Sequence, residues 1–179
     1  FEVAGLGSVE PLGADLLVSE VFLLRQRASS TDAELDPQAV ADHLLHTLRN
    51  GGNVSRFWLW WHSHAHGLLY WSETDEETIE GLSVDHLVSI VGNRTPEFEC
   101  RLDLFSPQRV TYCKLPLLPL PDNTPIDEMT LRTVVMAELR EKVTLVGREV
   151  FPAPELILGG SSTLEIPVTF DELDLPPQE

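Results

Sequence analysis

The chain has 179 residues and a 42 % hydrophobic fraction, enough for one domain with a sizeable core, and its composition excludes collagen, coiled-coil and disordered classes. Its net charge of −17 argues against nucleic acid and anionic membrane surfaces as partners, since both would repel it; the charge favours solubility. No apolar run approaches a membrane span or forms a secretory signal, so a cytoplasmic setting is expected, and the start at Phe1 rather than Met leaves room for sequence upstream.

Phe1 to Val9, punctuated by Gly5 and Gly7, predicts a strand, and the Val-, Leu- and Phe-rich stretch Asp15 to Leu24 predicts another. Arg25 to Leu35 is polar and predicts a loop. A helix follows, with Asp36 as N-cap, Pro37 at the first helical position, an apolar face of Val40, Leu44 and Leu48, and Gly51 and Gly52 at its end. Phe57 to Trp61 is apolar on both faces, which suits a central strand, and it runs into His62. A second helix is expected from Ser72, including Asp75, Thr78 and Ile79, and His86 to Val91 is another short apolar strand.

Phe98, Cys100, Leu102 and Leu104 alternate with Glu99, Arg101 and Asp103, the pattern of a half-buried strand. A turn near Ser106-Pro107 leads to Val110 to Leu115 as a hairpin. Cys100 and Cys113 fall on these neighbouring strands and are expected as buried free thiols with no metal or catalytic role. Pro116 to Pro125 looks like a linker or extended arm. Thr124 and Pro125 then start a helix with Asp127 and Glu128 in its first turn and Val135, Leu139 and Val143 on its apolar face. From Pro152 the chain is rich in Pro, Gly and acid and is expected as a poorly ordered or partner-dependent tail. This divides the chain into a core of residues 1–115, a linker and C-terminal helix over 116–151, and an acidic tail over 152–179. The order of elements gives an α/β class with a central sheet.

The chemistry concentrates between residues 62 and 75. His62 and His64 are two apart on a strand, so both imidazoles point to one side and can reach one ion. Asp75, on the first turn of the following helix, can come round as a third ligand, leaving the open position that a catalytic zinc keeps for water. Ser72-x-x-Asp75 is also a helix-capping pattern, and the two roles are compatible. His66 would share the side of His62 and His64 if the strand continued and could replace Asp75 as a ligand, but Gly67 suggests that the strand has ended, so His66 is expected in a loop.

His62-Ser63-His64, seven residues, then Ser72-x-x-Asp75 resembles, residue for residue, the motif of the JAMM metallopeptidases, also called MPN+ or JAB domains. Glu2-Val3-Ala4-Gly5-Leu6-Gly7 is similar to the upstream glutamate and glycine-containing strand of that family, and the resemblance covers roughly residues 1 to 115. It implies an MPN (JAB)-like fold: a central mixed β-sheet flanked by helices, followed by a C-terminal helix and tail. It also implies zinc held by His62, His64 and Asp75, Glu2 as general base for the attacking water and proton donor to the leaving amine, and Ser72 as hydrogen-bond donor to the oxyanion. Where members often carry proline after the second histidine, this chain has Ala65 and His66; that proline supplies no ligand. Glu20 is a rival base but lacks the following glycines, and Glu73, Glu76 and Glu77 are expected as solvated acids at a helix start.

The resemblance implies a zinc-dependent peptidase cutting a peptide or isopeptide bond at the C-terminal tail of a ubiquitin-like or sulfur-carrier-like protein, in a prokaryotic or phage-type member. The alternatives are a non-catalytic MPN-type scaffold and a zinc amidohydrolase acting on a small amide. Self-association or a partner protein would use the C-terminal region. Leu158-Gly159-Gly160 resembles a ubiquitin-like tail, but residues 116 to 158 are too short and too helical for a fused β-grasp domain, so a turn is expected there.

Overall fold

The strand expected at Phe57 to Trp61 runs two residues later, over Leu59–Ser63, and is third of six in the large sheet of the computed structural model, which describes residues 1–65, 67–82, 85–95, 97–119 and 127–147. In chain order the elements are β1 (Ala4–Leu12), β2 (Asp15–Leu23), β3 (Gln26–Ala28), β4 (Ala33–Leu35), α1 (Pro37–Arg49), β5 (Leu59–Ser63), α2 (Glu73–Gly81), β6 (His86–Gly92), β7 (Phe98–Leu104), β8 (Val110–Tyr112), α3 (Glu128–Lys142) and β9 (Val143–Leu145). The large sheet has the order β2-β1-β5-β6-β7-β8. Its β5–β6 pair is parallel and the other neighbours are antiparallel, so the sheet is mixed and the fold is α/β. A parallel pair needs a long crossover, and the chain between β5 and β6 supplies it with α2.

Successive residues of β5 serve opposite faces of the sheet. Leu59 packs with Val9, Val88 and Cys100, whereas Trp60 packs with Leu6, Leu24, Ile79 and Leu87. Burying each such side chain is worth about 1.5–3 kcal/mol, and the two clusters hold β5 rigidly between them. Trp61 needs room beside β1, and Gly5, its register partner, provides it. A Cβ at Gly5 would lie 2.1 Å from the Phe22 carbonyl oxygen and 2.6 Å from the Trp61 ring. Helix α1 begins as expected: Asp36 caps the Gln38 amide at 2.9 Å behind Pro37, and Gly51 turns the chain away with φ +75°.

Several expectations need correcting. Arg25 to Leu35 is not simply a loop: β3 and β4 pair within it, and β9 adds to β3 in parallel to make a second, three-stranded sheet. These strands are three residues long, too short for a period to show. Buried Gln26 ties this small sheet to the large one, its Nε2 donating to the Ala4 and Leu24 carbonyls and its Oε1 accepting from the Ala4 amide at 2.9 Å. Val143 belongs to β9 rather than to the apolar face of a helix, and Asp127 stands at the N-cap of α3 rather than in its first turn. Val135 and, on α1, Leu48 are exposed. The hairpin strand β8 ends at Tyr112, and Cys113 beyond it is exposed; of the two free cysteines, Cys100 is the buried one. The largest departure is β7, whose polar residues Arg101 and Asp103 are buried at 3 % and 0 % exposure. No helix among the described residues is long and apolar enough to cross a membrane. The expectations for His66, Thr124, Pro125, the tail from Pro152 and Leu158-Gly159-Gly160 lie outside the described residues.

Candidate metal centre

β5 carries His62 one residue before its end, and the hydrogen bonding runs one step beyond the strand, with the His64 amide donating to the Gly92 carbonyl at 2.8 Å. The two side chains therefore emerge on the same side, and their Nε2 atoms stand 3.1 Å apart. Asp75 arrives from the other direction, on the first turn of α2. Ser72 is the N-cap of that helix: its Oγ accepts from the Asp75 amide at 3.2 Å, while its own amide and hydroxyl both donate to Asp75 Oδ2 at 2.7 Å. This reciprocal capping box fixes the carboxylate as well as the helix start. Asp75 Oδ1 lies 3.2 Å from His62 Nε2, and Oδ2 lies 3.8 Å from His64 Nε2.

His62, His64 and Asp75 are all buried, and their ligand atoms lie within 4.8 Å of one another. Ligands at about 2.1 Å around a tetrahedral ion are separated by about 3.4 Å, so the spacing of these atoms suits a shared metal ion. One of the two imidazoles is also held in the right sense. His64 Nδ1 is 2.8 Å from the Leu68 carbonyl, to which it can only donate, which leaves Nε2 with its lone pair. His62 Nδ1 is buried without a hydrogen-bond partner, so that ring is placed by its aromatic neighbours and by Asp75. Trp60 stacks on the His62 ring at 4.4 Å and Trp71 meets it edge-on at 5.7 Å, excluding water from behind. Burial opposes the charge on Asp75, but the His62 hydrogen bond and charge, with the donors of Ser72, outweigh it and bring its pKa down to about 2. The triad thus presents a carboxylate and two imidazole nitrogens, a donor set for a divalent transition metal.

Glu2 comes from the other side of β5. The antiparallel register pairs Ala4 with His62, and the Ser63 amide donates to the Val3 carbonyl at 2.8 Å, so Glu2 falls across from His64. Directly opposed residues in an antiparallel pair share a face. The Glu2 carboxylate is held by the Ala65 amide at 3.2 Å, and its own amide donates to the Ser29 carbonyl at 2.8 Å. Glu2, His62, His64, Ser72 and Asp75 all line one cavity of about 500 Å³. Glu20 is elsewhere, exposed on β2 and accepting from Ser8 Oγ.

The sequence reading missed the support behind α2. Glu76, expected as a solvated acid, forms ion pairs with Arg101 and Arg109. Those contacts hold its carboxyl below the usual range, with Arg101 the largest cause. The signal available in the sequence was slight: an Arg and an Asp two apart on β7, beside cysteine and leucine.

No protein-family model and no curated protein matches this chain.

Proposed function

We propose that this chain is a zinc-dependent peptidase of the JAMM/MPN+ type. The reading is carried by one observation: His62, His64 and Asp75 converge in a single cavity that Glu2 also lines from the facing strand. The spacing of the motif, the mixed sheet and the order of elements from β1 to α2 support the same reading, with an MPN-like fold.

His62, His64 and Asp75 would hold the zinc, which when bound polarises a carbonyl and lowers the pKa of water to about 7. Glu2 lines the cavity from the facing strand and stands outside the ligand cluster. Anchored by the Ala65 amide, it takes the proton of the attacking water and returns it to the departing amine. Ser72 serves the oxyanion. Its hydroxyl now donates to Asp75 Oδ2, which the Ser72 amide also holds, so the hydroxyl can turn to the substrate while the backbone bond keeps the carboxylate in place. Trp60 and Trp71 keep the base of the site dry, which strengthens each of these electrostatic contacts.

The substrate class that follows from the resemblance is the extended C-terminal tail of a ubiquitin-like or sulfur-carrier-like protein, cut at a peptide or isopeptide bond. The deciding experiment is metal analysis of the purified protein, joined to incubation with a panel of ubiquitin-like fusions with and without chelator. Stoichiometric zinc and chelator-sensitive cleavage are expected. Protein that carries no zinc and binds none when it is added overturns the reading; zinc without cleavage of any fusion points to a small-amide hydrolase or a scaffold.

A further inference from the structure

Helix α2 delivers a metal ligand but has little apolar grip on the sheet: its buried residues are Asp75 itself and Ile79. Ile79 and the C-cap residue Leu82 grip only the far end of this nine-residue helix, which alone would let its first turn shift. The first turn is instead tied down by charge. Glu76, next to Asp75, receives both terminal nitrogens of the Arg101 guanidinium, Nη2 at 2.9 Å to Oε2. Arg101 is 3 % exposed and is braced from beneath by Asp103, whose Oδ2 accepts from Arg101 Nε at 2.8 Å. Asp103 also takes the Thr111 hydroxyl at 2.6 Å and two contacts from Arg109, so its buried charge is fully partnered.

Arg101 reaches the other side of the site as well. Its guanidinium lies 4.6 Å over the Trp71 ring, the ring that meets His62 edge-on. The Trp71 Nε1 donates to Glu99 Oε1 at 2.8 Å, one β-period before Arg101 on β7. The alternating polar residues of β7, Glu99, Arg101 and Asp103, thus underlie α2 and the chain entering it, which explains why Arg101 and Asp103 are buried.

We propose that Arg101 is the positioning residue of the metal centre, setting Asp75 through Glu76 and the His62 ring through Trp71. This rests on the reading of His62, His64 and Asp75 as metal ligands. A planar fork is needed here: only a guanidinium can grip a carboxylate with two nitrogens, keep its Nε for Asp103 and stack on an indole, so lysine cannot substitute.

The test is zinc affinity by chelator competition, with the visible spectrum of the Co2+-substituted protein, for wild type, Arg101→Lys and Glu76→Gln. Both variants are expected to bind zinc about 10- to 100-fold more weakly and to change the Co2+ spectrum, as substitutions behind metal ligands do. Val88→Ala, on the opposite face of the sheet, serves as a control for stability alone; it should lower Tm while keeping zinc affinity and spectrum. If Arg101→Lys does not fold, Glu76→Gln carries the test, since its partly exposed carboxylate is changed without loss of shape. Wild-type affinity and spectrum in folded Glu76→Gln or Arg101→Lys overturn the positioning role and leave the metal centre standing. A wild-type protein that binds no zinc overturns both.

Discussion

The Nε2 atoms of His62 and His64 face each other across 3.1 Å, with an Asp75 oxygen 3.2 Å from the first. One cation placed among these atoms satisfies both nitrogens and the carboxylate together. Zinc added to chelator-stripped protein should therefore raise Tm. Free zinc at one hundred times Kd stabilises by about 2.7 kcal/mol, which for a chain of this size is about 5–10 °C. Thermal scans with and without zinc measure this, and Asp75→Ala should abolish the shift; an unchanged wild-type Tm at saturating zinc counts against the site.

Glu2 and Asp75 are both acids of the cavity, but only Asp75 belongs to the ligand cluster. Their substitutions should separate. Glu2→Ala should leave zinc content at wild-type level and lower cleavage by about 10²–10⁴-fold, the usual contribution of a general base. Asp75→Ala should lose zinc and cleavage together. Metal analysis beside a cleavage assay distinguishes them, and full activity in Glu2→Ala would move the base elsewhere.

Ser72 has two roles that one substitution removes and another restores unequally. Ser72→Ala deletes the acceptor for the Asp75 amide and one of two donors to Asp75 Oδ2. The lost cap costs about 1 kcal/mol, seen as a fall in Tm. Loss of an oxyanion donor lowers kcat by about 10²–10³-fold. Ser72→Gly serves an N-cap almost as well as serine but has no hydroxyl to donate, so it should recover most of the Tm and not kcat. Equal recovery of both would reduce Ser72 to a cap.

The pH dependence of the metal-free protein follows from Asp75. Its pKa is lowered from 3.8 to about 2 in the folded state. A depressed acid contributes stability that is fully present above its unfolded pKa and is lost as pH falls through its folded one. The Tm advantage of chelated wild type over Asp75→Asn should therefore shrink as pH falls from 4 to 2. A constant difference across that window would mean that the His62 and Ser72 contacts do not favour the carboxylate.

What was legible in the sequence was whatever local pattern encodes. Asp36-Pro37 marked the start of α1, Ser72-x-x-Asp75 marked the start of α2, and the doubly apolar Phe57 to Trp61 marked the central strand. The His62-x-His64 spacing placed both rings on one side, and the structure has them there. What was not legible depends on distant chain. Strands β3 and β9 are made by pairing across more than one hundred residues, and three residues carry no period of their own. Glu76 looked solvated because acids are common in a first helical turn; only the tertiary fold brings Arg101 and Arg109 to it. Likewise Arg101 and Asp103 read as the wet face of β7, because alternation shows which residues share a face but not what covers it.

The two cysteines offer a check on the sheet itself. Cys100 is buried with Val9, Leu59 and Val88 behind the metal centre, and that burial pushes its thiol up to about 11, whereas Cys113 is exposed beyond β8. Thiolate is the reactive form, so at pH 8 Cys100 is both hidden and protonated. A chromogenic thiol reagent should titrate one thiol per chain in the native protein and two in denaturant, with peptide mapping assigning the fast one to Cys113. Zinc should not alter the fast thiol, which is no part of the ligand cluster, but by stabilising the fold it should slow the appearance of the second. Rapid native labelling of both thiols would contradict the packing of β7 against the core. Protection of Cys113 on adding zinc would instead place a metal at a cysteine that the structure keeps away from His62, His64 and Asp75.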